Sequence, residues 1–403
     1  MLCLIVHIRR KFLLVTERQR SFSLSAAAAQ RSLAAYIHIP FCAARCGYCD
    51  FNTYTHANFG GGASLATFAQ TICREIEASA ALLGEAEPLT SVFFGGGTPT
   101  MLPPADVIDI LNHLRRIFTI ADGAEVTIEA NPESVTPTSL AELRSGGFNR
   151  ISFGMQSAVP HILSTLQRAH TPGNVRAAAL AARELGFDYS LDLIYGAPGE
   201  SMDDWEESVS AAIELLPQHI SAYALTVEPH TPMGRAIARG ELSQPDPDDQ
   251  ADKYERADDM LNAAGYEWYE ISNWAQPGYE SRHNVNYWKN GNWWGYGPGA
   301  HSHIDGMRWW NLKHPVAYAK ALEEQQLPVA DYEYLTPQEI REEYLLMGIR
   351  LRVGIDIPSG TDPQKLDELI TDGLIDSDAA HRGRVCLTRT GRLLADVVTR
   401  ALW

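Results

Sequence analysis

The chain has 403 residues, of which 45% are hydrophobic and 21% charged, a composition typical of globular proteins. This length predicts one large domain and one smaller domain. A formal net charge of −17 removes any general electrostatic attraction to nucleic acids or anionic lipids. We therefore expect no nucleic-acid partner and no integral membrane span, and peripheral membrane association is left open.

Residues 1–34 form a basic leader of uncertain status. Within the first 35 residues, six basic side chains accompany a single acid, Glu17, and serines are frequent. Such a start is typical of an organellar transit peptide. A leader without a targeting role, or a start codon placed too far upstream, is the simpler interpretation. We exclude this segment from fold prediction and expect a cytoplasmic protein.

From residue 36 onward, short apolar runs alternate with amphipathic stretches. The runs are rich in Ile, Val, Phe and Tyr, as buried parallel strands are. Their positions are Tyr36–Phe41, Ser91–Gly95, Glu125–Ala130, Arg150–Met155, Ser190–Tyr195 and His219–Val227. Asp106–Phe118 and Asp203–Leu216 have the pattern of amphipathic helices, and Thr136-Pro137 and Thr171-Pro172 predict helix starts.

Six β–α units in series predict a parallel sheet covered by helices, either a barrel or an open doubly wound sheet. The chemically unusual residues all follow strands, at Cys42, Gly95–Pro99, Glu129–Pro132, Gln156, Asp192 and Ala224. A barrel brings all strand ends to one mouth, whereas an open sheet spreads several of them away from any single site. We therefore predict an α/β fold: a partial (β/α)6 barrel like that of TIM, with a smaller C-terminal domain.

The composition divides the rest of the chain. We assign residues 35–265 to the barrel core, which includes a polar, proline-rich connector at Gln244–Gln250. Residues 266–335 form an aromatic-rich segment predicted to close the barrel mouth, and residues 266–310 alone hold seven of the nine tryptophans.

The C-terminal domain is assigned to residues 336–403, which are mainly helical and charged in pattern. A strand at Val385–Leu387 and a turn at Thr390-Gly391 predict a β-wing beside the helices. Winged domains often bind DNA, but eleven acids and nine bases in this segment argue against that function.

Three of the six cysteines, Cys42, Cys46 and Cys49, are spaced as C-x₃-C-x₂-C. Thiolates are the usual ligands of iron–sulfur clusters, and one tight loop with this spacing can reach three irons of a [4Fe-4S] cubane. The fourth iron then has no protein thiolate nearby and can take the amino and carboxylate groups of S-adenosylmethionine (SAM). The motif therefore predicts a SAM-binding cluster.

A zinc site is the alternative interpretation of this loop, with His38 or His56 as a fourth ligand. Zinc sites usually need two separated ligand pairs, so we favour the cluster. The other cysteines, Cys3, Cys73 and Cys386, have the pattern of ordinary thiols.

From about Ala35 to the C-terminus, the cysteine motif, the strand before it and the downstream motifs resemble the coproporphyrinogen III oxidase-like family of radical SAM proteins. This resemblance implies a [4Fe-4S] cluster and SAM as cofactors. The SAM contacts that it implies are Tyr36, Tyr48, Gly96, Gly97, Thr98, Glu129, Gln156, Arg168, Asp192, Ala224 and His301. In the family's dehydrogenases, the positions matching Gln156, Arg168 and Asp192 serve a second SAM, and the number bound here is left open.

The residue types suit such a pocket. Glycines at Gly96 and Gly97 let the backbone approach a ligand closely. The carboxylates of Glu129 and Asp192 suit ribose hydroxyls or an ammonium group, and Arg168 can offer a bidentate fork to a carboxylate.

Two features separate the heme chaperones of this family from its coproporphyrinogen dehydrogenases. The dehydrogenases carry a fourth cysteine two residues after the third, where this chain has Phe51. His283 to Trp288 fit the H-N-x-x-Y-W pattern of the chaperones. Imidazole is a common ligand of heme iron, and the rings of Tyr287 and Trp288 suit a porphyrin face. The resemblance implies a heme-binding protein with heme-accepting proteins as partners.

Three alternatives stay open. The chain could be an oxygen-independent coproporphyrinogen III oxidase, which decarboxylates two propionates, or another porphyrin-modifying radical SAM enzyme. The aromatic segment could instead be core packing at the barrel mouth, an interpretation that suits Trp293 and Trp294 as well as heme binding does but suits His283 less, because packing alone does not explain the pattern that follows it. Heme binding without turnover would distinguish the chaperone from both enzymes.

Overall fold

The computed structural model describes residues 33–84 and 86–403. The predictions made for residues 1–32 therefore lie outside the described residues. In the described part, twelve strands form one sheet and two more form a small separate ribbon. The strands are β1 (Leu33–Ile39), β2 (Leu89–Gly96), β3 (Ile120–Ala130), β4 (Arg150–Gln156), β5 (Asp188–Tyr195), β6 (His219–Ala224), β7 (Glu267–Glu270), β8 (Asn273–Ala275), β9 (Asn292–Tyr296), β10 (His301–Ile304), β11 (Met307–Asn311), β12 (Val329–Tyr334), β13 (Ile355–Asp356) and β14 (Arg384–Val385).

The α-helices cover this sheet and build the C-terminal part of the chain. They are α1 (Leu65–Leu83), α2 (Pro104–Ile117), α3 (Pro137–Gly146), α4 (Pro160–Thr165), α5 (Pro172–Glu184), α6 (Met202–Glu214), α7 (Pro232–Ala238), α8 (Pro247–Ala263), α9 (Arg282–Trp288), α10 (Pro315–Glu323), α11 (Pro337–Gly348), α12 (Pro363–Thr371), α13 (Ser377–His381), α14 (Arg389–Leu393) and α15 (Ala395–Ala401). None of the described helices is long and apolar enough to cross a membrane.

Strands β1 to β6 are parallel neighbours in chain order, as six consecutive right-handed β–α units require. Among the described strands β1 and β6 do not pair, so the barrel is partial. The predicted α/β fold with a partial (β/α)6 barrel is thereby confirmed. The sixth strand was predicted to reach Val227 but ends at Ala224, because the chain turns at Glu228, whose carbonyl accepts the Thr231 N–H at 3.0 Å.

Local capping chemistry fixes the helix starts. Thr136 and Thr171 each accept a hydrogen bond from the backbone three residues on, with proline in the first turn, so both predicted starts are confirmed. The predicted connector Gln244–Gln250 is only partly irregular. Helix α8 already begins at Pro247, because the Asp246 side chain caps the first backbone N–H groups.

The aromatic-rich segment extends the sheet at both edges. Strand β9 pairs parallel to β1 and continues into the antiparallel strands β10 to β12, while β8 and β7 continue from β6. The short helix α9 contacts β2 and β3 through His283, which lies 2.8 Å from the Ser91 hydroxyl and whose backbone N–H donates to Glu125 at 3.0 Å. Trp294 is 1% exposed and packs edge-on against Trp309 at 4.8 Å, so it belongs to the apolar core, whereas Trp293 is half-buried.

Two apolar cores separate the barrel from the C-terminal part of the chain. The large one gathers side chains from Leu33 to Val329, and the smaller one gathers side chains from Leu345 to Leu402. The ribbon β13–β14 forms the wing beside the small core. The turn predicted at Thr390-Gly391 is wrong, because Thr388 caps helix α14 there. The domain boundaries themselves stay predictions.

Candidate functional site at the barrel mouth

The three motif cysteines lie together in the loop that follows β1. All three are half-buried, and none forms a disulfide. Burial raises the pKa of the Cys42 and Cys49 thiols above the ordinary value, so metal binding must displace their protons. In the described residues no group of three or more His, Cys, Asp and Glu is set to hold a single metal ion. A cubane differs from a single ion in spreading its thiolates over separate irons.

The glycine loop after β2 packs directly against the cysteine loop. The Gly97 N–H donates to the Ile39 carbonyl at 2.8 Å, and a Cβ at Gly97 would lie 2.9 Å from the Cys42 sulfur. Gly96 has φ +113°, a backbone conformation that side chains rarely adopt. The Thr98 hydroxyl lies 3.8 Å from the Cys42 sulfur. Only glycine therefore fits at both loop positions.

Arg168 and Asn131 form the next wall of the mouth. The Arg168 guanidinium donates to the Cys46 sulfur at 3.2 Å and to the Asn131 amide oxygen at 2.6 Å. The Asn131 amide in turn donates to the Thr98 hydroxyl at 3.0 Å. The Arg168 Nε is buried without a partner among the described residues, which leaves one donor for a ligand.

Two carboxylates face the mouth, Glu129 near the end of β3 and Asp192 within β5. Glu129 accepts the Gly96 N–H at 3.1 Å, and burial together with the Asp192 charge raises the pKa of Glu129 to about 8. Asp192 accepts from Ser152 at 2.8 Å and from Ser221 at 2.7 Å, while burial raises its pKa. Two buried carboxyl groups that repel each other favour a positively charged ligand between them. SAM carries a sulfonium and an ammonium group.

The remaining predicted SAM residues occupy the same end of the barrel. Gln156 is buried at the end of β4 with φ +62°, a strained backbone of the kind found at binding sites. The hydroxyl of Tyr36 lies 3.0 Å from Nδ1 of His38 on β1, and Tyr48 packs against the apolar cluster around Leu225. Ala224 ends β6.

His301 is exposed at the start of β10, with its ring stacked on Trp310 at 5.7 Å. Its contact with SAM stays a prediction, as do the contacts of the other ten residues.

The three residues predicted to contact heme lie on helix α9. His283 is 1% exposed, and its Nδ1 is 2.8 Å from the Ser91 hydroxyl. Its Nε2 is 2.8 Å from the Tyr287 hydroxyl, and its ring stacks on Phe93 at 5.1 Å. Burial lowers the pKa of His283 to about 3, so the imidazole is neutral. In this conformation neither ring nitrogen is free to bind iron.

The other side chains of the motif are also engaged in packing. The Asn284 amide donates to the Tyr269 hydroxyl at 3.2 Å and to the Glu270 carboxylate at 3.1 Å. Tyr287 packs edge-on against Trp293 at 4.7 Å, and Trp288 is half-buried. The heme contacts predicted for His283, Tyr287 and Trp288 stay predictions, and each requires helix α9 to move.

Sequence patterns assigned no role to two residues that organise the mouth. Asn131 lies in the predicted segment Glu129–Pro132, but an asparagine before a proline is typical of an ordinary turn, and its link between Thr98 and Arg168 was not predicted. Glu75, on the inner face of α1, is 1% exposed and holds the loop after β9 by accepting from the Gly297 N–H at 2.8 Å and from Asn311 at 2.7 Å. A single acid in an amphipathic helix belongs to no recognisable sequence motif. The partners of Glu75, Gly297 and Asn311, come close to it only in the folded chain.

Comparisons with known proteins agree with this geometry. The Radical SAM superfamily model matches residues 36–212. The chain is 47% identical over 370 residues to the heme chaperone HemW of Mycobacterium tuberculosis, covering 91% of this chain and 94% of that protein. It is 34% identical over 376 residues to HemW of Bacillus subtilis, covering 90% and 97%. The chain belongs to the HemW family.

The solved structure of the coproporphyrinogen III oxidase HemN from Escherichia coli has the same fold as this HemW-family chain. It superposes with a TM-score of 0.80 over 93% of this chain and 92% of that chain, at 24% identity. At this identity the likeness concerns the fold alone.

Membership in the radical SAM superfamily implies a [4Fe-4S] cluster and SAM, and the barrel mouth of this HemW-family chain fits both groups. Cys42, Cys46 and Cys49 would hold the cluster, and Arg168 and Thr98 would donate hydrogen bonds to its thiolates. The paired carboxyl groups, the glycine loop and the free donor of Arg168 suit a cationic amino acid derivative.

The carboxyl pair gives a testable pH dependence of SAM binding. Below pH 8, Glu129 is mostly protonated, so SAM must displace its proton. We expect affinity to rise with pH, by up to about tenfold per unit between pH 6 and 7.5. Glu129→Gln should bind SAM more weakly and lose this slope, whereas Glu142→Gln on the exposed face of α3 should retain both. Anaerobic equilibrium binding to reconstituted protein measures this, and a wild-type slope in Glu129→Gln would contradict it.

Proposed function

We propose that this chain is a heme chaperone, which binds heme and passes it to acceptor proteins while the barrel mouth retains its cluster and SAM. The observation that supports this best is the 47% identity, over 91% of the chain, to a protein named heme chaperone HemW. The cysteine composition suits a cytoplasmic protein, because all five described cysteines are free thiols.

Phe51 supports a chaperone over a coproporphyrinogen dehydrogenase. It occupies the position at which the dehydrogenases carry their fourth cysteine, and its side chain is 47% exposed beside the cluster loop. A phenyl ring has no donor atom for iron and no proton to transfer, but it offers an apolar face to a porphyrin.

The residues of the mouth bind and orient cofactors in this proposal. Cys42, Cys46 and Cys49 would hold the cluster, which would supply one-electron reducing chemistry to SAM when both are bound. Arg168 fixes one side of the pocket through its bonds to Cys46 and Asn131, and Glu129 and Asp192 fix the other.

A turnover assay tests the proposed function against its enzymatic alternatives. We expect no release of carbon dioxide from coproporphyrinogen III, given SAM and a low-potential reductant, because Phe51 replaces the fourth cysteine. A bona fide coproporphyrinogen dehydrogenase run in parallel is the positive control. Protoporphyrinogen formation clearly above a control without SAM would identify the chain as an oxidase instead.

A further inference from the structure

Four side chains form an aromatic cluster on the surface beside the cysteine loop: Tyr54, His56, Phe59 and His314. We call it the surface aromatic cluster. The ring of Phe59 lies at its centre, with centroid distances of 5.3 Å to Tyr54, 6.2 Å to His56 and 5.7 Å to His314, all edge-on. His56 and His314 are exposed, and Tyr54 and Phe59 are half-buried. Two imidazoles and two aromatic rings thus border one patch of surface.

Backbone hydrogen bonds fix this cluster against the loop that carries the cysteines. The Cys42 N–H donates to the Tyr54 carbonyl at 3.0 Å, and the Tyr54 N–H donates to the Pro40 carbonyl at 2.7 Å. The Tyr54 hydroxyl donates to the Lys313 carbonyl at 3.1 Å, and this hydrogen bond holds the segment before His314 against Tyr54. The surface aromatic cluster therefore lies next to the barrel mouth.

The two histidines of the surface aromatic cluster and His283 differ in which ring nitrogens are free. His314 Nδ1 accepts the Val316 N–H at 3.3 Å, which favours the tautomer with its proton on Nε2 and leaves no lone pair for a metal. His283 is buried with both nitrogens engaged. Neither nitrogen of His56 has a hydrogen-bond or ion-pair partner among the described residues, and the side chain is exposed. Of these three, only His56 offers a free lone pair without rearrangement.

The charges beside the cluster complement those of heme, whose two propionates are anionic. Arg45 and Lys313 are exposed, and neither forms an ion pair within residues 33–84 and 86–403. The Arg45 guanidinium lies 3.4 Å from the Phe51 carbonyl, so this cation is next to the exposed Phe51 ring. Cationic side chains pair well with carboxylates, and aromatic rings pack on porphyrin faces.

We propose that heme docks on the surface aromatic cluster, with His56 as the axial ligand of its iron and with Arg45 and Lys313 paired to its propionates. Phe59 and Phe51 then pack against the macrocycle. This assignment rests on the proposed function, since it presupposes that the chain binds heme. It places the heme outside the barrel, beside the loop that carries Cys42, Cys46 and Cys49. Helix α9 does not have to move for the heme to bind there.

The test compares heme binding by single variants of the full-length, anaerobically reconstituted protein. We expect His56→Ala to weaken heme binding at least tenfold and to lose the electron paramagnetic resonance signature of histidine-ligated heme. His56→Met should retain heme with a shifted Soret band. His381→Ala, at an exposed histidine of helix α13, is the matched control and should match the wild type. Lys313→Glu should weaken binding several-fold, and Lys289→Glu should not.

The outcomes separate this assignment from the function on which it rests. If the wild type binds heme but His56→Ala retains its affinity and spectrum, the docking site is wrong while the proposed function stands. The same holds if folded His283→Ala alone loses the histidine signature. If the wild type binds no heme, the proposed function itself fails.

Discussion

Replacing Cys42, Cys46 or Cys49 by alanine should abolish reconstitution of the [4Fe-4S] cluster. Each of the three half-buried thiols lies in the one loop against which the glycine turn and Arg168 pack. Because the cubane then has only two protein ligands, we expect complete loss of its visible absorption and of bound iron and sulfide.

Cys73→Ala and Cys386→Ala are the matched controls for this prediction. Both are half-buried free thiols in other parts of the fold, Cys73 on helix α1 and Cys386 after β14. They should bind iron and sulfide as the wild type does. Loss of the cluster in Cys73→Ala, in a protein that still folds, would show that the ligands are misassigned.

The second large effect concerns stability. Arg392→Met should destabilise the protein by about 3 kcal/mol, because it removes the cation bound to both oxygens of the buried Asp258 and leaves only the more distant Arg389, 3.6 Å away. The Arg392 guanidinium is 6% exposed and binds both oxygens of Asp258, at 3.0 and 2.7 Å. It also stacks on Trp268 at 4.4 Å, so it joins the C-terminal helices to the barrel.

A surface pair of the same type provides the control. Arg239 and Glu241 form a two-pronged pair in which both side chains are more than half exposed, and Arg239→Met should leave the unfolding midpoint close to that of the wild type. Denaturant unfolding near pH 7 measures both variants. Equal midpoints for the Arg392→Met and Arg239→Met proteins would contradict the prediction.

The pH profile gives this prediction a second readout. Burial opposes ionisation of Asp258, but hydrogen bonds from Arg392 and Trp274 hold its pKa below the ordinary value. A depressed pKa in the folded state contributes stability that is present above the unfolded pKa and lost as pH falls. Arg392→Met should therefore lose less stability than the wild type on acidification.

The parts of the fold that sequence predicted are those that local chemistry determines. Threonine followed by proline caps a helix at Thr136 and Thr171, and six apolar runs separated by helices lead to a parallel sheet. The cysteine and glycine loops were predicted for the same reason. Each carries its chemistry within a few consecutive residues and follows directly on a strand.

The environment of helix α9 could not be predicted, because its partners are distant in sequence. The pattern around His283 favours heme ligation and does not indicate the packing that the structure shows. Its ring is engaged through Ser91, which precedes it by 192 residues, and its backbone N–H donates to Glu125, 158 residues away. Likewise, no sequence pattern predicts the strained φ of Gln156. The helix start at Pro247 was also not predicted, because it lies in a proline-rich, acidic stretch that is typical of a connector.

Heme titration of the reconstituted wild-type protein tests the central claim most directly. With SAM bound and no substrate added, hemin should bind at one equivalent per chain, shown by a saturating Soret band with the magnetic signature of histidine ligation. A heme-free acceptor protein added afterwards should take up this heme. A linear, unsaturable absorbance change, with no heme retained on gel filtration, would contradict the account of this chain as a heme chaperone.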